Sequence, residues 1–205
     1  MKYDTKEDGP WDDRSFMEPE YIPREYRGLM DRLYPWQQKV LDSRHVFDTR
    51  HVNFVYDGEG NSGKSTLAQL AELYCGAYDL PPVCDHKELM QHTCDILMAK
   101  RDRTPGLIFV DLPRGLTVDP RRFGPFMIAV EKIKAGVVQD MRNHFTKWWF
   151  DSPQVWVFAN HLPNLEYLSE DRYKFFIIRD KDLVQVSKDD LQPPLPQEIQ
   201  EEHPG

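Results

Sequence analysis

Eight residues constrain this chain more than any other stretch. Gly58-Glu59-Gly60-Asn61-Ser62-Gly63-Lys64-Ser65 satisfies GxxxxGK[ST] at every fixed position. Glycines at those places let the backbone turn tightly and aim several N–H groups into one concavity. A helix opening at Lys64 adds its positive end, and a lysine there reaches the outer phosphates of a nucleotide. Ser65 offers its hydroxyl to magnesium, and Thr66 closes the loop. The pattern requires a strand before it and a helix after it. His51 to Asp57 (HVNFVYD) is a β-branched and aromatic run, and KSTLAQLAELYC sets Leu67, Leu70, Ala71 and Tyr74 on one helical face. A chance match to the pattern arises in about one chain in a hundred of this length, and few would carry that context. The segment predicts a site for ATP and Mg2+.

The rest of the chain supplies a matching framework. Gly106 to Asp111 (GLIFVD) and Gln154 to Ala159 (QVWVFA) are apolar runs of the kind buried in parallel sheets. Helices are expected at Lys87 to Lys100 and Phe123 to Lys134, and Tyr34-Pro35-Trp36 reads as an earlier helix entry with proline in its first turn. Tyr173 to Ile178 with Leu183 to Val186 reads as a final hairpin. Alternating strands and helices predict a three-layer α/β domain with a parallel central sheet. Its bounds are placed at 34–187, with a linker at 1–33 and a disordered, acidic, proline-rich tail at 188–205.

Composition bears on partners and compartment. The net charge of −8 argues against nucleic acid until its distribution is considered. Residues 1–31 carry −4 and residues 189–205 carry −5, so the stretch between them is +1 and free to form a local basic surface. No apolar run approaches the ~20 residues needed to span a bilayer, and the Met1 end lacks an apolar signal core. No membrane association is expected, and the chain reads as intracellular. Cys75, Cys84 and Cys94 form no CxxC pair and read as reduced, structural residues.

A nucleotide loop needs a second metal anchor at the end of a neighbouring buried strand. Asp111 is the acid placed that way. Leu112 follows it, so the paired acid that often activates water is missing, and Glu59 inside the loop is a weak substitute. Asn160, directly after QVWVFA, is a polar amide able to hold a water or sense the γ-phosphate.

These segments together resemble a known family. GEGNSGKST, IFVDLPRG, EKIKAGVV, VFANHLPN and LSEDRYKFF, in that order, resemble the superfamily-three helicase domain of viral replication-initiator (Rep) proteins. The resemblance is closest to circular single-stranded DNA viruses and satellites of the nanovirus and alphasatellite type, with circovirus-like Reps in the wider group. Asp111-Leu112-Pro113-Arg114 fits that group's second motif. The likeness covers about residues 34 to 180. It implies nucleotide and metal binding by Lys64 and Ser65, metal binding by Asp111, a sensor at Asn160, and a helicase motor assembled as a hexameric ring in the host nucleus. It also implies a DNA-reaching hairpin in Lys134 to Lys147, although that stretch departs from the family pattern after Gly136-Val137-Val138. Lys134, Arg142 and Lys147 are the candidate contacts, with Phe145, Trp148 and Trp149 beside them. Bases next to aromatics suit single-stranded DNA; the bland alternative is that the aromatics form the core of a hairpin. Arg172 is the candidate for acting on a neighbour's γ-phosphate, with Arg114 as its competitor and a surface ion pair as its bland alternative.

Rep proteins also carry an upstream nicking endonuclease ending in Tyr-x-x-Lys. Tyr3 and Lys6 have that spacing before Gly9-Pro10-Trp11, but no His-x-His pair occurs, so the chain looks like a Rep shortened at its start, with no nicking expected. Three other readings stay open: an RNA-binding helicase-like ATPase, a non-catalytic nucleotide-binding adaptor, and a small-molecule phosphotransferase using Arg121-Arg122 as a lid.

Overall fold

The computed structural model describes residues 21–140, 142 and 146–191. Among the described residues eight strands and five α-helices follow in the order α1 (Pro35–Asp42), β1 (Val52–Tyr56), α2 (Lys64–Cys75), β2 (Tyr78–Leu80), α3 (His86–Ala99) and β3 (Leu107–Leu112). Then come α4 (Arg114–Thr117), α5 (Pro120–Lys134), β4 (Val137–Gln139), β5 (Lys147–Trp149), β6 (Gln154–Ala159), β7 (Tyr173–Arg179) and β8 (Asp182–Val186). Six strands make one sheet in the order β2-β3-β6-β1-β7-β8, parallel except for β8, which turns back on β7. Side chains alternate between faces along each strand, and the sheet is covered on both. Phe54, Val110 and Val157 pack under α3 and α5, while Val55, Phe109 and Phe158 pack under α1 and α2. The architecture is α/β with a mostly parallel sheet.

Local sequence explains several of the helix ends. α2 begins at Gly63, whose φ of +89° only glycine adopts readily, and stops at Gly76 in the same left-handed region. Asp85 caps α3 by accepting from the N–H groups of Lys87 and Glu88 at 2.8 and 3.2 Å. α5 starts three residues before the expected Phe123, because Asp119 caps it and Pro120 fills its first turn. β2 was not foreseen; three residues are too few for a period to register.

Regular structure extends to either side of the expected 34–187 span. Within the expected linker, residues 21–33 include 3-10 turns at Arg24–Tyr26 and Met30–Arg32, and Met30 and Leu33 pack against the α1–α2 core. At the other end, a 3-10 turn at Asp189–Leu191 seats Leu191 in the α3–α5 core, and Lys188 donates to the Leu168 carbonyl at 3.0 Å. Residues 192–205, most of the expected tail, lie outside the described residues, as do Tyr3 and Lys6.

Candidate functional site

The loop from Gly58 to Gly63 connects β1 to α2 at the carboxyl end of the sheet. Gly60 (φ +71°), Asn61 (φ +56°) and Gly63 (φ +89°) all occupy the left-handed region. A Cβ at Gly58 would lie 2.5 Å from the Tyr56 hydroxyl, so a side chain there would have to displace the end of that ring. α1 braces the loop from outside. Buried Gln37 donates to the Gly63 carbonyl at 3.1 Å and accepts from the Tyr34 N–H at 2.9 Å. α1 is itself tied to the far hairpin through the Trp36 N–H on the Lys181 carbonyl and the Lys39–Asp182 ion pair at 2.7 Å.

Lys64 is buried, and its ammonium donates to the carboxylate of Asp57, the last residue before the loop. Asp57 also accepts from the Ser62 hydroxyl at 2.7 Å and the Gly60 N–H at 3.2 Å. Burial alone would push the Asp57 carboxyl up, but Lys64, Ser62 and Gly60 together hold it below its ordinary range. Sequence reasoning missed Asp57 as a partner; the available signal was an acid abutting a glycine loop that contains a lysine. Ser65 sits exposed in the first turn of α2, and Glu59 is exposed at the loop tip.

The neighbouring strands bring the other candidates to this end. β6 lies between β1 and β3, with Ala159 opposite both Tyr56 and Leu112. The Asp57 N–H donates to the Ala159 carbonyl at 2.9 Å, so Asn160 leaves the sheet beside the loop. Asp111 is one residue short of that rung, on the α2 face, and is the exposed residue of β3. Partial desolvation at the sheet end raises its carboxyl above the ordinary range, while Lys64 and the Leu112 N–H pull it back down. A second acid was also missed. Asp79 on β2 stands opposite Phe109, and its carboxyl is pushed up to about 6, first by burial and then by Glu72 and Asp111. Arg114 opens α4 three residues beyond Asp111, while Arg121 and Arg122 are exposed in the first turn of α5.

Left-handed turns, a glycine-rich loop, an exposed hydroxyl and a carboxylate at the adjoining sheet end suit a polyphosphate with a hard cation. Lys64 and the loop N–H groups would hold the phosphates; Ser65 and Asp111 would hold the ion.

The basic candidates for nucleic acid do not share one fate. Lys134 is 2% exposed and donates to the carbonyls of Asp48 and, at 2.8 Å, Pro153. Burial lowers it to about 8 against the pull of Asp48. It ties the end of α5 to two loops and has no reach to a phosphate, which corrects the expectation that it contacts DNA. Arg142 is exposed but grips Asp95 of α3 through both carboxylate oxygens, at 2.6 and 2.8 Å. Lys147 is exposed on β5, paired across the β4–β5 ladder with Gln139. The aromatics divide as well. Trp148 packs inward, donates to the Asp102 carbonyl at 2.9 Å and carries the Arg103 guanidinium over its ring, whereas Trp149 is 60% exposed. Phe145 lies outside the described residues.

Arg172 precedes β7, whose Tyr173 stands opposite Val52 at the start of β1. That places it at the amino end of the sheet, away from its own chain's loop. It forms an ion pair with Glu131 at 3.6 Å, while neighbouring Asp171 pairs with Arg50. A cavity of about 270 Å³ opens here, lined by Thr49, Arg50, Glu131, Lys134, Ala135 and Arg172. It is remote from the glycine loop and carries no phosphate-cradling backbone.

No family model matches the chain. It is 26% identical over 219 aligned residues to Para-Rep C3 of Milk vetch dwarf C3 alphasatellite, covering 85% of this chain and 70% of that one. Among solved structures, Rhizobiales Trip13 aligns at a TM-score of 0.40 and 12% identity, over 77% of this chain and 67% of that one. No described helix is long and apolar enough to cross a membrane.

Proposed function

We propose that this chain is the ATPase motor of a Rep-type replication-initiator protein, binding Mg2+-ATP and using its hydrolysis to move along or unwind DNA. One observation carries the reading: the glycine loop enters α2 with Lys64, Asp111 and Asn160 gathered at the same end of the sheet. The sequence likeness to a protein named Para-Rep, over 85% of the chain, supports it.

Each residue has a defined task. The loop N–H groups and Lys64 bind and orient the phosphates, offering fixed donors where negative charge gathers. Ser65 and Asp111 would hold the cation, which would supply charge neutralisation to the phosphates when bound. Asn160 orients water through its exposed amide.

Arg172 can serve only a neighbouring subunit, since its own loop lies at the other end of the sheet. In a hexameric ring it would place a cation against the neighbour's γ-phosphate, a contribution worth roughly 10³-fold or more in rate. Mixing Arg172→Ala with Lys64→Ala subunits should restore activity at mixed interfaces, and absence of rescue at every ratio would count against it. Lys147 and Trp149 are the exposed base and aromatic left to meet a single strand.

Phosphate release measured with and without single-stranded DNA tests the whole reading. Hydrolysis stimulated by DNA is expected. Phosphate transferred to a small acceptor, binding without turnover, or stimulation confined to RNA would each replace it with a different function.

A further inference from the structure

Asp57 lies where an anion would otherwise bind. Its carboxylate accepts from three loop groups at once: the Gly60 N–H, the Ser62 hydroxyl and the Lys64 ammonium. One is a backbone donor of the kind that cradles phosphate, and another is the loop's own cation. Asp57 and Lys64 are both buried, so neither charge is relieved by solvent.

We propose that Asp57 is a built-in competitor of the nucleotide: its carboxylate holds Lys64 in the empty loop, and only a ligand presenting at least two adjacent phosphates draws the lysine away. The inference rests on the nucleotide reading of the loop and adds a threshold to it.

The two partners differ in freedom. Asp57 is fixed, because its N–H closes the last rung onto the Ala159 carbonyl and its carboxylate keeps Ser62 and Gly60 after Lys64 leaves. Lys64 sits on a four-carbon stem and moves by changing rotamer. Releasing it leaves a buried carboxylate close to incoming phosphates, a like-charge contact that weakens binding. A lone phosphate offers Lys64 little more than it already has. A pyrophosphate or triphosphate offers several charged oxygens and also occupies the remaining N–H donors. Asp57 thus filters out inorganic phosphate at the expense of overall affinity.

The test is calorimetric titration of full-length wild type, Asp57→Asn and Lys64→Ala with Mg2+-ATP, pyrophosphate and inorganic phosphate. Asparagine removes the charge and keeps one oxygen as acceptor for the Gly60 N–H; its NH2 takes the place of the oxygen that Ser62 and Lys64 share, where the Ser62 hydroxyl can turn to accept instead. Asp57→Asn should bind ATP and pyrophosphate at least tenfold more tightly than wild type and acquire measurable binding of inorganic phosphate. Asp57→Ser, smaller but also uncharged, should shift affinities the same way and serves if the asparagine variant fails to fold. Unchanged or weaker ATP binding in the folded Asp57 variants, with wild-type binding still dependent on Lys64, would overturn the proposal alone and make Asp57 a residue that aims the lysine. Wild-type binding indifferent to Lys64→Ala would overturn the nucleotide reading and this inference with it.

Discussion

The two ends of the six-stranded sheet both carry basic side chains next to turns, yet they use them differently. At the carboxyl end, Gly60, Asn61 and Gly63 hold a left-handed loop, and Lys64 beside it is held by Asp57. At the amino end, Lys134 is consumed by two carbonyls, Arg50 by Asp171 and Arg172 by Glu131. A phosphate loop is specified by backbone conformation, which a local run of glycines writes directly. Whether an isolated cation is free to meet a ligand depends on what tertiary structure puts beside it, and no local pattern records that.

Substitutions at the two ends should separate these roles. Gly63→Ala forces a side chain into the left-handed region and against Gln37, whose Nε2 would lie 3.0 Å from the new Cβ. Unfolding free energy should fall by about 1–2 kcal/mol, and Mg2+-ATP affinity should fall by about 100-fold, roughly 2.7 kcal/mol. Full affinity in the alanine variant would break the claim that conformation specifies the site.

At the other end the readouts exchange places. Lys134→Met strands the Asp48 and Pro153 carbonyls and should cost about 1–3 kcal/mol of stability while leaving affinity for single-stranded DNA unchanged. Lys147→Ala should leave stability within about 0.5 kcal/mol but weaken DNA binding and flatten its salt dependence. Equal DNA losses from both would return Lys134 to the surface.

A smaller effect sharpens the carboxyl end. Asp79 has its folded pKa raised to about 6 from 3.8, so the folded state holds a proton that the unfolded state has released between those values. Its contribution to stability therefore declines as pH rises from 3.8 to 6. Asp79→Asn should stabilise the protein at pH 7 by about 1 kcal/mol after allowing for solvent screening, with the gain vanishing below pH 4. A gain that persists at pH 4 would show that packing, not charge, is responsible.

The sequence made the loop, its strand and its helix legible because each is a local pattern: glycine spacing, a β-branched run and a 3.6-residue period. Asp111 and Asn160 were legible as strand-end polar residues after apolar runs, and the sheet order then set them near the loop. Gln37 was hidden, since nothing in α1 announces that one glutamine reaches 26 residues ahead to Gly63. Asp79 was hidden because its three-residue strand shows no period. Lys134 misled for the opposite reason: a lysine in a basic, aromatic stretch looks available until Asp48 and Pro153 close around it.

The central claim, that the carboxyl end of the sheet is a nucleotide site organised around Lys64, is tested most directly by thermal unfolding of wild type and Lys64→Ala over a Mg2+-ATP titration. Lys64→Ala leaves the Asp57 carboxylate buried without its cation, so its midpoint without ligand should already be lower. Mg2+-ATP should then raise the wild-type midpoint in step with concentration, following the binding of ligand to the folded state, and leave the variant's unmoved. An equal ATP-dependent rise in both proteins, or none in wild type at saturating nucleotide, would contradict the account.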